Sequence, residues 1–131
     1  LAGGLLSERY LGQPEPSRAS LNTASLSKYK LMVDAWGGWE LLQDLLVTLK
    51  RIADRHQVSI ADVAVRYVLD RPAVAGVIVG VRLGVTDHRD DSAMVFEFGL
   101  GQEDLERIES VLSRSRDLYQ IIGDSGDEYR R

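Results

Sequence analysis

Apolar residues recur at helical spacing in two neighbouring stretches of the chain. In the first, they return every three or four residues and form one stripe along a helix. These residues are Leu41, Leu42, Leu45, Leu46, Leu49, Ile52 and Ala53. The second stretch begins at Ser59, which has the spacing of a capping box with Asp62, and it ends before Pro72. Its apolar positions are Ile60, Val63, Ala64, Tyr67 and Val68. The pattern predicts two consecutive amphipathic helices.

Weaker patterns predict three further helices. A short one covers about 25–35 and ends at Gly37-Gly38, since glycine favours helix ends. Another covers about 86–96 with Thr86 as its cap, and the last covers about 102–122. The chain is therefore expected to be dominated by helices.

One short stretch has the composition of a buried strand. Val and Ile dominate residues 74–79, which is typical of a parallel strand covered on both faces. Gly80 and Arg82 follow, and a polar helix start comes after them. Unpaired amides at a helix start attract anions, and an arginine there can bind a phosphate through two hydrogen bonds. A plain strand followed by a surface arginine fits the same spacing, so both interpretations stay open.

A lone strand of this type raises a problem of its own. Its backbone groups need hydrogen-bond partners, and parallel strands belong to sheets of several strands flanked by helices. Either the rest of the sheet is missing from these 131 residues, or another copy of the chain supplies it.

Composition and charge argue against several classes of function. The net charge of −4 gives no support to a nucleic-acid partner or to an anionic membrane surface. There is no cysteine and there are two histidines, so no metal site is expected. No apolar run approaches the ~20 residues of a membrane span, and no signal peptide opens the chain. A cytoplasmic protein is the default expectation.

Three separated segments follow one another in the order of a known barrel family. Leu1–Tyr10 reads LAGGLLSERY, residues 59–69 read SIADVAVRYVL, and residues 77–82 read VIVGVR. They resemble, in that order, the seventh strand with its loop, the seventh helix, and the eighth strand with its cofactor loop of the aldo-keto reductases. The resemblance implies that residues 1–131 form the C-terminal segment of one incomplete (β/α)8 barrel domain. Such a segment is α/β and helix-dominated, with one or two short parallel strands.

The resemblance also implies a site for NADP, because ligands of such barrels lie at the carboxyl ends of the strands. The backbone of Leu1, Ala2 and Gly3 would lie along the cofactor. Arg9 and Arg18 would hold its phosphates. Arg82 would contact the 2′-phosphate, which implies NADP rather than NAD. The full set of implied cofactor-binding positions is Leu1, Ala2, Gly3, Arg9, Arg18, Gly80, Arg82, His88, Asp91 and Ser92.

Two departures from the family limit these expectations. The family usually has Asn where Ser92 stands, and serine makes a shorter contact with adenine. The family's chemistry uses an Asp, Tyr, Lys and His tetrad in its N-terminal half, and none of the four maps onto this chain. No catalytic residue is therefore assigned.

Two functions of different classes remain. The first is the cofactor-binding C-terminal portion of an NADP-dependent oxidoreductase that acts on aldehydes, ketones or the matching alcohols and is inactive alone. The second is a non-enzymatic helical interaction or structural module derived from a reductase. In either case, helices that normally cover barrel strands are expected to expose apolar stripes and to favour self-association. The exposed residues would be Leu41, Leu45, Leu49, Ile60, Val63 and Tyr67.

Overall fold

The computed structural model describes residues 1–78 and 94–123, except for the side chain of residue 18. The described part is built from five α-helices joined by turns, and it contains no β-strand. The helices are α1 (Ala24–Trp36), α2 (Gly38–His56), α3 (Ile60–Leu69), α4 (Gln102–Leu112) and α5 (Leu118–Ile122). Short 3-10 turns occur at Ala2–Gly4, Glu8–Tyr10, Arg18–Ser20 and Met94–Phe96. The expectation that helices dominate the chain is confirmed for these residues.

Helix α2 lies at the centre of the structure and packs against α1, α3 and α4. Its predicted apolar stripe faces these neighbours, with Leu46 and Ile52 fully buried. Ile60 and Val63 of α3 and Ile108 of α4 complete the core. Each such side chain stabilises the fold by about 1.5–3 kcal/mol through removal of apolar surface from water.

The helix α1 ends and α2 begins at a pair of glycines. The backbone of Gly37 passes so close to Leu41 that a Cβ built on Gly37 would lie 2.3 Å from Leu41 Cδ2. Gly38 has a φ of 87°, which disfavours any residue with a side chain. The two glycines let α2 follow α1 without a connecting loop. The predicted helix end at Gly37-Gly38 is confirmed.

Helix α3 begins with the predicted capping box. Ser59 Oγ accepts a hydrogen bond of 3.1 Å from the amide of Asp62, and Asp62 Oδ2 accepts one of 2.9 Å from the amide of Ser59. Both contacts satisfy amides that a helix start leaves without a partner. The helix ends at Leu69, before Pro72.

The prediction of a single helix over 102–122 is wrong, because the helix is interrupted between α4 and α5. The break is held by contacts to the end of α1. The amide of Arg116 donates to the carbonyl of Trp36 at 2.7 Å, and Arg116 Nη2 donates to the carbonyl of Asp34 at 2.7 Å. Asp117 Oδ1 then accepts from the amide of Tyr119 and caps α5. These tertiary contacts replace the hydrogen bonds that a continuous helix would have made.

The strand predicted over 74–79 does not form in its described part, residues 74–78. These residues have no regular secondary structure, and Ile78 is 98% exposed rather than buried. The segment resembling the seventh strand also turns, since Ala2, Gly3 and Gly4 all have positive φ values that a strand excludes. A parallel strand needs neighbours for its backbone groups, and residues 1–78 and 94–123 provide none. Of the helix predicted over 86–96, the described residues are Met94–Phe96, which form a 3-10 turn.

The expectation of exposed apolar stripes is wrong for most of the residues it invoked. Leu41, Leu45, Leu49, Ile60 and Val63 are each at most 9% exposed. The helices bury these faces on one another instead of on a sheet. No helix in the described part of the chain is long and apolar enough to cross a membrane.

Candidate functional site

The predicted cofactor-binding residues fall into two groups along the chain. One group lies in the first eighteen residues, which the structure describes apart from the side chain of Arg18. The other group lies outside the described residues and consists of Gly80, Arg82, His88, Asp91 and Ser92. The geometry of the candidate site is therefore that of its N-terminal group.

The first turn, Ala2–Gly4, packs against α1. Gly3 has a φ of 66°, and a Cβ built on it would lie 3.2 Å from the backbone of Leu26 and from the ring of Tyr29. The lack of a side chain at Gly3 thus permits a close approach of two backbones. Leu5 is fully buried and anchors the turn in the core.

The second turn, Glu8–Tyr10, carries the candidate phosphate-binding residue Arg9. Its guanidinium is exposed and lies 5.5 Å from the ring centroid of Tyr10, within the range of a cation–π contact. Among the described residues, no carboxylate pairs with Arg9. No ion pair within the described residues therefore neutralises its positive charge.

The neighbours of Arg9 tie its turn to two helices. Glu8 Oε1 accepts a hydrogen bond of 2.8 Å from the amide of Ile60 at the start of α3. On the other side, Gln43 of α2 uses both ends of its amide. Gln43 Nε2 donates to the carbonyl of Tyr10 at 2.9 Å, and Gln43 Oε1 accepts from the amide of Gly12 at 2.7 Å.

An aromatic contact strengthens the same attachment. Trp39 is buried, donates from Nε1 to the carbonyl of Gln13 at 2.9 Å, and meets the ring of Tyr10 edge to face at a centroid distance of 6.1 Å. Sequence reasoning missed Gln43, because a lone glutamine about 30 residues from its loop partners has no pattern that distinguishes it from a surface residue.

A cleft of about 470 Å³ lies beside the loop that leads to Arg18. At its base Lys30 is 6% exposed and donates to Glu15 at 2.6 Å and to Asp34 at 2.5 Å. Burial alone lowers the pKa of Lys30, but the hydrogen bonds and charges of the two carboxylates outweigh it, and the pKa is raised. The ammonium is neutralised within the protein, so it offers little charge to a phosphate in the cleft.

Two other clusters of charged side chains join helices. Buried Asp104 at the start of α4 accepts hydrogen bonds from Arg55 and from the amide of Gly101, and it lies 3.2 Å from His56 Nε2. This cluster links the end of α2 to the start of α4. Within residues 1–78 and 94–123, no group of three His, Cys, Asp or Glu side chains could hold a metal ion.

The second cluster links α3 to α4. The hydroxyl of Tyr67 donates to Glu109 at 2.6 Å, and Arg71 donates to the same carboxylate at 2.7 Å while stacking 3.9 Å from the centre of the Tyr67 ring. Burial and the hydrogen bond to Glu109 raise the pKa of Tyr67 to about 12. The hydrogen bonds from Tyr67 and Arg71 lower the pKa of Glu109. The phenol therefore stays protonated near neutral pH, as a structural donor.

The predicted residues Ala2, Gly3 and Arg9 lie in two turns, and these turns pack against different helices. Residues 2–4 contact α1, whereas the turn that bears Arg9 contacts α2 and receives the first amide of α3. Gly3 thus packs closely against α1, and the Arg9 guanidinium has no carboxylate partner among residues 1–78 and 94–123.

A model of the aldo/keto reductase family matches residues 1–113, which is most of the chain. This chain belongs to the aldo/keto reductase family. Members of the family are built on a (β/α)8 barrel, and the helix-dominated structure is consistent with a portion of one. The family assignment also supports an oxidoreductase origin.

The chain is also similar to the flagellar radial spoke protein 5 of Chlamydomonas reinhardtii. The two are 41% identical over 70 residues, which make up 52% of this chain and 13% of the spoke protein. The matched region thus spans a small part of that relative. No solved structure matches the chain.

Proposed function

We propose that this chain is the cofactor-binding C-terminal portion of an NADP-dependent oxidoreductase that acts on aldehydes, ketones or the matching alcohols. The observation that carries the proposal is the family match over residues 1–113. When bound, NADP supplies the chemistry, which is hydride transfer between its nicotinamide and a carbonyl carbon. A cytoplasmic location accompanies this proposal.

The described residues fit part of such a cofactor. Gly3 is exposed in the first turn, and Arg9 offers a guanidinium that no described carboxylate neutralises. In the proposal Leu1, Ala2 and Gly3 lie along the dinucleotide, while Arg9 and Arg18 bind its pyrophosphate. The neutralised Lys30 takes no part.

The remaining contacts of the proposal rest on residues outside the described part. Arg82 reads the 2′-phosphate that distinguishes NADP from NAD. Gly80 allows close approach of the loop, and His88, Asp91 and Ser92 surround the adenosine.

The test is the selectivity of Arg82→Ala in a complete barrel that contains this segment. Loss of a charge-assisted hydrogen bond to a phosphate should weaken NADP by roughly ten- to hundredfold, with a much smaller effect on NAD. Arg51→Ala removes the same charge from an exposed position on α2 and should change neither affinity. Equal weakening of both cofactors by Arg82→Ala would refute the role of Arg82.

A separate expectation applies to the isolated chain of 131 residues. It should bind NADP only weakly, because it lacks the contacts that the rest of a (β/α)8 barrel would make with the cofactor. It should catalyse no carbonyl-dependent oxidation of NADPH, since no tetrad residue maps onto it. Measurable turnover by the purified chain would show that a catalytic residue has been overlooked.

A second candidate function is a non-enzymatic helical interaction or structural module. The similarity to a radial spoke protein favours it, as does the burial of the apolar faces of α2, α3 and α4 on one another. This alternative predicts no response to NADP at any concentration. Self-association stays a prediction, and light scattering over micromolar concentrations tests it.

A further inference from the structure

The turn that carries Arg9 has 3-10 hydrogen bonds of its own, from the amides of Tyr10 and Leu11 to the carbonyls of Ser7 and Glu8, and side-chain contacts to two helices add to them. Gln43 satisfies one carbonyl and one amide of the turn, those of Tyr10 and Gly12. Glu8 reaches in the opposite direction, to the amide of Ile60. Two helices therefore hold the backbone on both sides of Arg9.

This arrangement has a consequence for ligand binding. A surface loop normally loses conformational freedom when it closes on a ligand, and that loss weakens the complex. Contacts made before the ligand arrives remove part of the loss. The backbone that carries Arg9 is then held at one place on the surface, with the guanidinium 5.5 Å from the ring centroid of Tyr10.

We propose that Gln43 and Glu8 are positioning residues that hold Arg9 ready for a phosphate group of a dinucleotide. This inference rests on the proposed function. Neither side chain touches the ligand, and both act through the backbone of residues 8–12. The two roles are separable, because Gln43 lies on α2 and Glu8 bonds to α3.

The experiment is an NMR chemical-shift titration of the 131-residue chain with NADP⁺ up to millimolar concentrations. Gln43→Met keeps the length of the side chain and removes both hydrogen bonds. It should weaken NADP⁺ binding about threefold to tenfold, and hydrogen exchange at the amide of Gly12 should accelerate. Arg9→Ala should weaken binding roughly tenfold or more.

A double-mutant cycle separates positioning from general stability. If Gln43 acts through Arg9, adding Gln43→Met to Arg9→Ala should cause no further loss of affinity. Val65→Ala, a core substitution on α3, is the matched control. It should lower the urea midpoint and leave NADP⁺ affinity unchanged at temperatures where every variant is folded.

Glu8 provides a second variant pair should Gln43→Met fail to fold. Glu8→Ala removes the acceptor for Ile60 and should weaken binding, whereas Glu8→Gln keeps an acceptor oxygen and should restore it. Absence of NADP⁺ binding by the wild-type chain would overturn the cofactor role of Arg9 and the positioning role with it. Weakening by Arg9→Ala, with unchanged affinity in Gln43→Met and Glu8→Ala, would overturn the positioning role alone.

Discussion

Helices α2, α3 and α4 and the N-terminal segment of residues 1–21 are held in place by different forces. The helices share a core of fully buried aliphatic side chains such as Leu46 and Ile60. In residues 1–21 Leu5 is the one buried side chain that the structure describes. Partly buried Leu6, Leu11 and Leu21 pack against that core, and directional hydrogen bonds from side chains such as Gln43 and Trp39 attach the rest of the segment.

The difference separates stability from candidate function. Apolar burial is non-directional and large, so the helices carry most of the free energy of folding. Hydrogen bonds contribute about 0.5–1.5 kcal/mol each but specify position. Substitutions that remove only a hydrogen bond of the N-terminal segment should therefore alter ligand binding more readily than they unfold the chain.

Truncation of the core should give the largest effect. Leu46→Ala removes a fully buried side chain from the centre of α2 and should destabilise the protein by about 2–5 kcal/mol, because the cavity cannot close. Urea denaturation measures the loss. Val47→Ala, at a position 39% exposed on the same helix, should cost less than about 1 kcal/mol. Similar values for the two variants would contradict a core centred on α2.

Gly3→Ala tests the close packing of the first turn. The new methyl group would strain a backbone with positive φ and would lie 3.2 Å from the backbone of Leu26. The free energy of unfolding should fall by about 2–4 kcal/mol. Gly12→Ala is the control, since Gly12 has a similar φ of 70° and open space around it, and it should cost about 1–2 kcal/mol. Urea denaturation of both variants measures the difference. Equal costs would mean that the contact with α1 contributes nothing.

Tyr67→Phe tests the polar link between α3 and α4 through its pH dependence. The folded-state pKa of Tyr67 is raised to about 12 from its usual value of 10, by burial first and then by the hydrogen bond to Glu109. The stability it contributes is therefore fully present below pH 10 and is lost as the pH rises toward 12. After screening by solvent, the contribution is on the order of 1 kcal/mol.

The measurement for Tyr67 is urea denaturation of wild type and variant across this pH range. The difference in their free energies of unfolding should be largest near neutral pH and should shrink between pH 10 and 12. Tyr29→Phe, on α1, is the control for the loss of a phenol elsewhere. A difference that stays constant with pH would contradict the link to Glu109.

Lys30→Met should give the smallest effect, although Lys30 is buried. Its partners Glu15 and Asp34 have side chains that are 57% and 45% exposed, so water can solvate both carboxylates after the substitution. Methionine also fills the space with apolar atoms. The expected cost is below about 1 kcal/mol by thermal or urea unfolding, close to that of the more exposed Lys50→Met. A loss of several kcal/mol would show that this ion pair, rather than hydrogen bonds from α2, attaches the N-terminal segment.

Among the site residues, sequence resemblance pointed to Gly3 and Arg9, and the structure places both in 3-10 turns. Their role in binding a dinucleotide stays a prediction. Gln43 could not be found in this way. Its role depends on a loop about 30 residues away in the chain, and no local pattern encodes that contact. Arg82 and its neighbours remain predictions from the resemblance.

The sequence by itself determined the helices α1, α2 and α3, the capping box at Ser59 and the turn at Gly37-Gly38. These features depend on apolar periodicity, on side chains that bond to nearby amides, and on backbone freedom, all of which act within a few residues. Only the tertiary structure decided where the last helix breaks, what the apolar stripes pack against, and whether residues 74–78 pair as a strand. Those outcomes depend on partners distant in sequence: the end of α1 for Arg116, neighbouring helices for the stripe of α2, and a second strand for the backbone before Val79.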